Sequence, residues 1–200
     1  MGLARFSVRP HQPPVTAMAH TVRDRPNKTV TRVVSFAVLA SLAFVAWWAS
    51  GALQTAIVPS ASMEPTLRVD DLLMVRKDAF REAGPRRGDI VLFLRRGEPD
   101  YFVKRVVGLP GETVVVASGW VNINGKWLEE PYAASQRVRE RPLQWVLGDD
   151  EYFLLGDNRS HSEDSRDFGA VKRADITGLV TSIIAPAGRR GRLSNPFDAR

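Results

Sequence analysis

Two serines two residues apart, Ser60 and Ser62, sit between prolines in the segment Pro59-Ser60-Ala61-Ser62-Met63-Glu64-Pro65-Thr66-Leu67. The prolines stiffen the chain into an extended form that presents both hydroxyls. A polar linker has the same Ser/Pro character. As a nucleophile, a serine hydroxyl needs a base to take its proton. The chain has no cysteine and three histidines, His11, His20 and His161. Thiol nucleophiles, disulfides and cysteine-based metal sites are therefore excluded. The base must be His161, a carboxylate or a lysine held neutral.

There are five lysines: Lys28, Lys77, Lys104, Lys126 and Lys172. Lys104 differs from the others because it lies inside the apolar run Tyr101-Phe102-Val103-Lys104-Arg105-Val106-Val107. Period-2 geometry puts Phe102, Lys104 and Val106 on one face, with Arg105 on the other and in need of an acidic partner. A lysine with an ordinary pKa of about 10.4 is neutral in only about one molecule in 10³ near neutral pH. Burial against apolar neighbours lowers that pKa by disfavouring the ammonium. A lysine that snorkels to the strand edge would keep its charge and take no part.

A third stretch, Gly156-Asp157-Asn158-Arg159-Ser160-His161-Ser162-Glu163-Asp164-Ser165-Arg166-Asp167-Phe168-Gly169, is dense in hydrogen-bonding groups. Its acidic spacing does not fit an EF-hand loop. Two arginines among four acids suggest an ion-pair network. His161 leaves a Ser–His–Asp arrangement open, because such a triad depends on geometry and not on chain order.

These segments need elements to hold them. The net charge is +6, but residues 1–32 carry six basic side chains against Asp24 alone, leaving 22 basic and 21 acidic in the rest. Positive charge confined to a tail argues against nucleic acid as a partner. The next 21 residues, 33–53, are uncharged; as a helix they would reach roughly 31 Å, about one bilayer core. Trp47 and Trp48 stand where an interfacial belt would put them, and the basic flank predicts a cytoplasmic N-terminus. A secretory signal cleaved near Ala49-Ser50-Gly51 is the competing reading.

Beyond the run, β-branched and aromatic segments bounded by Gly, Pro or Asp predict strands at 72–76, 89–94, 101–107, 112–117, 151–155 and 176–185. Asn124-Gly125 predicts a hairpin turn, 133–150 a loop, and 188–200 a frayed tail. The expected organisation is a basic cytoplasmic tail over 1–32, a transmembrane helix over 33–53, a mainly β extracytoplasmic domain over 55–187 and a flexible tail over 188–200.

The serine segment, Lys104-Arg105-Val106-Val107-Gly108-Leu109-Pro110-Gly111, the polar loop and Arg87-Gly88-Asp89-Ile90-Val91-Leu92-Phe93 together resemble the motif boxes of type I signal peptidases. These are membrane-anchored serine proteases with a Ser–Lys dyad. The resemblance covers about residues 33–186. It implies a fold of coiled antiparallel sheets after one N-terminal transmembrane helix. It implies Ser62 as nucleophile, Lys104 as general base, and Ser60 with the Ser62 backbone N–H as oxyanion hole. Ser162 would orient the lysine, and Arg105–Asp157 and Asp164–Arg166 would brace the site. No metal or other cofactor is implied.

The implied activity is removal of signal peptides from secreted precursors after small residues, of the Ala-x-Ala kind. The implied partners are those precursors, the lipid bilayer and the secretion translocon. A membrane-anchored β-sheet binding module without protease activity is the alternative, and a soluble Ser–Lys autoprotease would not carry the apolar span. The sequence departs from the family pattern at Leu179, where a basic residue is common, and at Asp70, where glycine is usual. Glycine there suggests a positive φ, which Asp tolerates better than most residues.

Overall fold

The computed structural model describes residues 28–49, 51–95, 97–133 and 141–198, with side chains in the first of these at 29 and 32–46. Most of the basic tail expected over 1–32 therefore lies outside the described residues, as do the Trp47 and Trp48 side chains, Ser50 of the alternative cleavage site and part of the 133–150 loop. The chain divides into two units, residues 1–43 and 44–200.

Helix α1 covers Lys28–Ala49. Its described large apolar side chains, among them Phe36, Leu39 and Leu42, are exposed. Among the described residues, no helix is long and apolar enough to cross a membrane. The apolar run does not stay helical to residue 53: a turn with Gly51 at φ 67° leads into strand β1, Leu53–Ile57.

The second unit is mainly antiparallel β. Its further strands are β2 (Leu72–Arg76), β3 (Ile90–Leu94), β4 (Tyr101–Gly108), β5 (Thr113–Ala117), β6 (Trp120–Ile123), β7 (Lys126–Trp127), β8 (Leu143–Val146), β9 (Glu151–Leu155), β10 (Val171–Lys172), β11 (Ile176–Ala185) and β12 (Gly191–Arg192); a short helix α2 (Ser165–Phe168) precedes β10. The larger sheet runs β1-β2-β11-β3-β4-β9-β10, with β12 on β11, and the smaller runs β7-β6-β5-β8.

The larger sheet is covered on both faces, which is why β3 and β9 read as nearly unbroken apolar runs. Alternation along β3 sends Ile90 and Leu92 to a core with Met63, Leu67 and Leu73. It sends Val91 and Phe93 to another core with Val106 and Leu154. A third core joins Phe153 and Leu155 of β9 to Val114, Val116 and Val121 of the smaller sheet. The hairpin between β6 and β7 turns on Asn124 (φ 50°) and Gly125 (φ 85°), the pair of positive φ values that a type I′ turn requires. β8 falls inside the stretch expected to be a loop.

Two features set up the site. β3 pairs with β4 along its whole length, Ile90–Leu94 against Arg105–Tyr101, whereas β9 pairs with β4 only from Arg105 onward. The Lys104 end of β4 is therefore open to other segments on that side. The chain from Val58 to Asp71 forms a closed loop. Its neck is made by the Val58 N–H donating to Asp71 O and the Asp70 N–H to Val58 O, both 3.0 Å. Asp70 takes φ 66° at this neck.

Candidate active site

Ser62 lies on a single 3-10 turn, Ala61–Met63, at the start of that closed loop. Two bonds from the polar loop hold the turn from outside. The Asn158 backbone N–H donates to Ser62 O at 3.1 Å, and the Asn158 side-chain amide donates to Ala61 O at 3.1 Å. Met63, 1% exposed, is sunk in the core beside it. The hydroxyl-bearing residue is thus fixed by both packing and main-chain hydrogen bonds.

The Ser62 hydroxyl and the Lys104 amine are 2.8 Å apart. Lys104 is 4% exposed. Burial pushes its pKa down from the ordinary lysine value, and the carboxylates of Asp164, Glu163 and Asp157 pull in the opposite direction. Desolvation is the larger effect, because an isolated ammonium loses more by leaving water than three carboxylates not bonded to it restore. A hydroxyl in contact with an amine held toward its neutral form can transfer a proton to it and attack a carbonyl carbon.

The Ser60 hydroxyl donates to that of Ser62 at 3.2 Å. A cavity of about 400 Å³ opens in front of the pair, with Val58, Ser60, Tyr101, Phe102 and Val103 among its lining residues. His161 also borders it, but its Nδ1 is engaged by the Ser160 hydroxyl at 2.8 Å.

Arg105 points away from Lys104, as strand alternation demands, into a second buried constellation. Its Nε and Nη2 donate to the two oxygens of Asp157 at 2.8 and 2.7 Å, and its Nη1 donates to Gly88 O. The Thr66 hydroxyl donates to Asp157 at 2.5 Å. The ring of Tyr132 lies 4.0 Å from the guanidinium, an electrostatically favourable face for a cation. Asp157 therefore ties the serine loop, through Thr66, to the strand that carries Lys104.

Asp164 caps helix α2, accepts from the Gly156 N–H at 3.0 Å, and binds Arg166 through Nε at 2.8 Å. Arg166 Nη2 also donates to Arg159 O and Ser162 O, which fixes the course of the loop between them. Ser162 is brought close to Ser62: a Cβ on Gly156 would touch both the Ser162 side chain and the Ser62 carbonyl. Yet the Ser162 hydroxyl is buried without a hydrogen-bond partner, so the expected bond to Lys104 is not made in this state.

Sequence reasoning did not anticipate Asn158, Thr66, Tyr132 or Glu130. Glu130 forms a fully buried ion pair with Arg159, 2.6 Å from Nη2, while Arg159 Nε holds Gly156 O. The one available signal was Arg159 itself, the loop arginine to which the implied ion pairs assign no carboxylate.

The family described as "Signal peptidase, peptidase S26" matches residues 29–185. Signal peptidase I of Leptolyngbya laminosa is 37% identical over 202 residues, covering 95% of this chain and 96% of that protein. The probable signal peptidase I-2 of Synechocystis is 40% identical over 145 residues, 69% of this chain and 66% of that one. The crystal structure of a signal peptidase I from Enterococcus faecalis is 34% identical, with a TM-score of 0.43 over 48% of this chain and 97% of that chain.

Proposed function

The chain belongs to the signal peptidase family, peptidase S26, and from that membership we propose that it removes signal peptides from secretory precursors as a serine endopeptidase running on a Ser62–Lys104 dyad. The observation that carries the dyad is the 2.8 Å contact between the Ser62 hydroxyl and a buried amine.

In this mechanism Ser62 Oγ attacks the scissile carbonyl while Lys104 accepts its proton. Lys104 then protonates the departing amine, leaving an acyl-enzyme that water hydrolyses. The Ser60 hydroxyl and the Ser62 backbone N–H stabilise the oxyanion, an effect typically worth about 10²–10³ in kcat for one donor. The open side of β4 near Tyr101–Lys104 offers main-chain groups to an extended substrate, with alternate side chains entering the cavity. The side chains that enter would be small, of the Ala-x-Ala kind that the family resemblance implies. Ser162 reaches Lys104 once substrate closes the site, since catalytic hydrogen bonds often tighten only in the Michaelis complex.

The charge-free run 33–53 and the basic flank before it support a single-pass anchor with a cytoplasmic N-terminus and an extracytoplasmic catalytic unit. Anchoring confines enzyme and precursor to one bilayer surface and raises their effective concentration. Delivery of precursors by the secretion translocon fits that placement.

The test is cleavage of a precursor bearing a small-residue site by the full chain in detergent. Ser62→Ala and Lys104→Ala should each abolish cleavage while the β-sheet circular dichroism is kept. Activity surviving in Lys104→Ala but lost in His161→Ala would replace the lysine with a histidine base.

A further inference from the structure

The sequence predicts a frayed chain from Gly188 onward, yet this segment is tied to the neck of the serine loop. β12 pairs with the end of β11, Gly191 opposite Ile183 and Arg192 opposite Ser182. The Leu193 N–H adds a bond to Thr181 O at 2.9 Å. This return places the turn Ala187–Arg189 against the loop. Arg189 Nε donates to Asp71 Oδ1 and its Nη2 to Asp71 Oδ2, both at 2.8 Å. Nη2 also reaches Thr66 O at 3.2 Å.

We propose that Arg189 is a positioning residue for catalysis: it clamps the neck of the Val58–Asp71 loop and so sets where Ser62 stands relative to Lys104. The proposal rests on the Ser62–Lys104 reading above. The backbone of Lys104 is held by the pairing of β4 with β3 from Tyr101 to Arg105. Ser62 instead rides on a loop whose two ends meet at Val58 and Asp71.

Asp71, 1% exposed, accepts the Arg68 N–H at 2.8 Å within the loop. Its carboxyl is held below the ordinary range, chiefly by the bonds from Arg189. Thr66, whose carbonyl Arg189 holds, turns its hydroxyl to Asp157. One guanidinium thus grips both the neck and the residue that links the loop to Arg105. A bidentate fork fixes orientation as well as distance, which an ammonium does not.

The test uses the full chain in detergent with a signal-peptide substrate, reading kcat, KM and Tm together. Arg189→Gln should lower kcat by about 10- to 100-fold, the scale expected when reacting atoms are misplaced by about 1 Å, with KM changed less than about twofold. Arg189→Lys, keeping charge without the fork, should recover part of the loss. Because groups that act as one unit are non-additive, Asp71→Asn added to Arg189→Gln should cost little more. Arg190→Gln removes a neighbouring guanidinium bound to Ile184 O and should leave kcat as in the parent.

An unchanged kcat in Arg189→Gln, or the same loss in Arg190→Gln, overturns the proposal. If Arg189→Gln does not fold, Arg189→Lys decides, and a parental kcat there overturns it equally. Cleavage that survives in both Ser62→Ala and Lys104→Ala sinks the dyad reading. An inactive Ser62→Ala beside a fully active Arg189→Gln sinks only the clamp.

Discussion

The carbonyl oxygen of Ser62 lies where a side chain on Gly156 would begin: a Cβ built there comes within 2.5 Å of that oxygen. The close approach lets the polar loop lie against the serine turn and deliver the Asn158 N–H to the same carbonyl. Gly156→Ala must therefore push the two apart. Cleavage should fall at least about 100-fold, as expected for a displacement of about 1 Å at the reacting atoms, while the sheets remain. Kinetics paired with circular dichroism tests this, and a fully active alanine variant would show that the turn and loop are not held in contact.

The buried amine predicts opposite effects of one substitution on activity and stability. Lys104 has a lower pKa folded than unfolded, so between those values the unfolded chain binds more protons and stability rises with pH. The penalty is ~1.4 kcal/mol per unit of pKa difference. Lys104→Met, lacking it, should be inactive but melt higher. That advantage should shrink as pH climbs and vanish above about 10.5, the ordinary lysine value. In the parent, kcat/KM should fall with acid as the amine protonates. Melting curves and rate profiles across pH read both; a pH-independent difference in Tm would contradict the assignment.

Arg105 and Asp157 are nearly inaccessible to water, 3% and 0% exposed at the side chain. Asp157→Asn leaves a guanidinium without its countercharge, at a cost of about 3–5 kcal/mol. An apolar pair, Arg105→Met with Asp157→Leu, should be more stable than Asp157→Asn alone. It should still cleave poorly, because Thr66 loses its acceptor. Denaturant midpoints alongside cleavage rates distinguish the two effects.

The unpartnered Ser162 hydroxyl carries a desolvation cost of about 1–3 kcal/mol in the resting state. Ser162→Ala should hold or raise Tm and yet lower kcat at least about tenfold, since the hydroxyl is proposed to meet Lys104 only with substrate bound. A parental kcat in this variant would remove Ser162 from the mechanism.

Strands bounded by strong turn signals were legible: β2, β9 and β11 coincide with the segments marked by β-branched residues between Gly, Pro and Asp. The positive φ at Asp70 was legible only through the glycine usual at that position in the family pattern, since Asp by itself does not demand it. β1 was hidden at the end of an apolar run, with only Gln54 and Thr55 to break the pattern. β8 was hidden because Leu143–Val146 is short and mostly exposed. Contacts set by tertiary packing left no periodic trace. The carboxylate for Arg159 comes from Glu130, 29 residues away, and the partner of Arg189 is 118 residues distant. No spacing rule connects such pairs; only the folded arrangement of the two sheets does.

The Asn124–Gly125 turn leaves the smaller sheet at a point facing open space: apart from its own chain neighbours, no heavy atom lies within 4 Å of a Cβ built on Gly125. Such a tip is a natural graft port. An epitope or fluorophore carried there would report on the molecule's whereabouts without crowding the cleft.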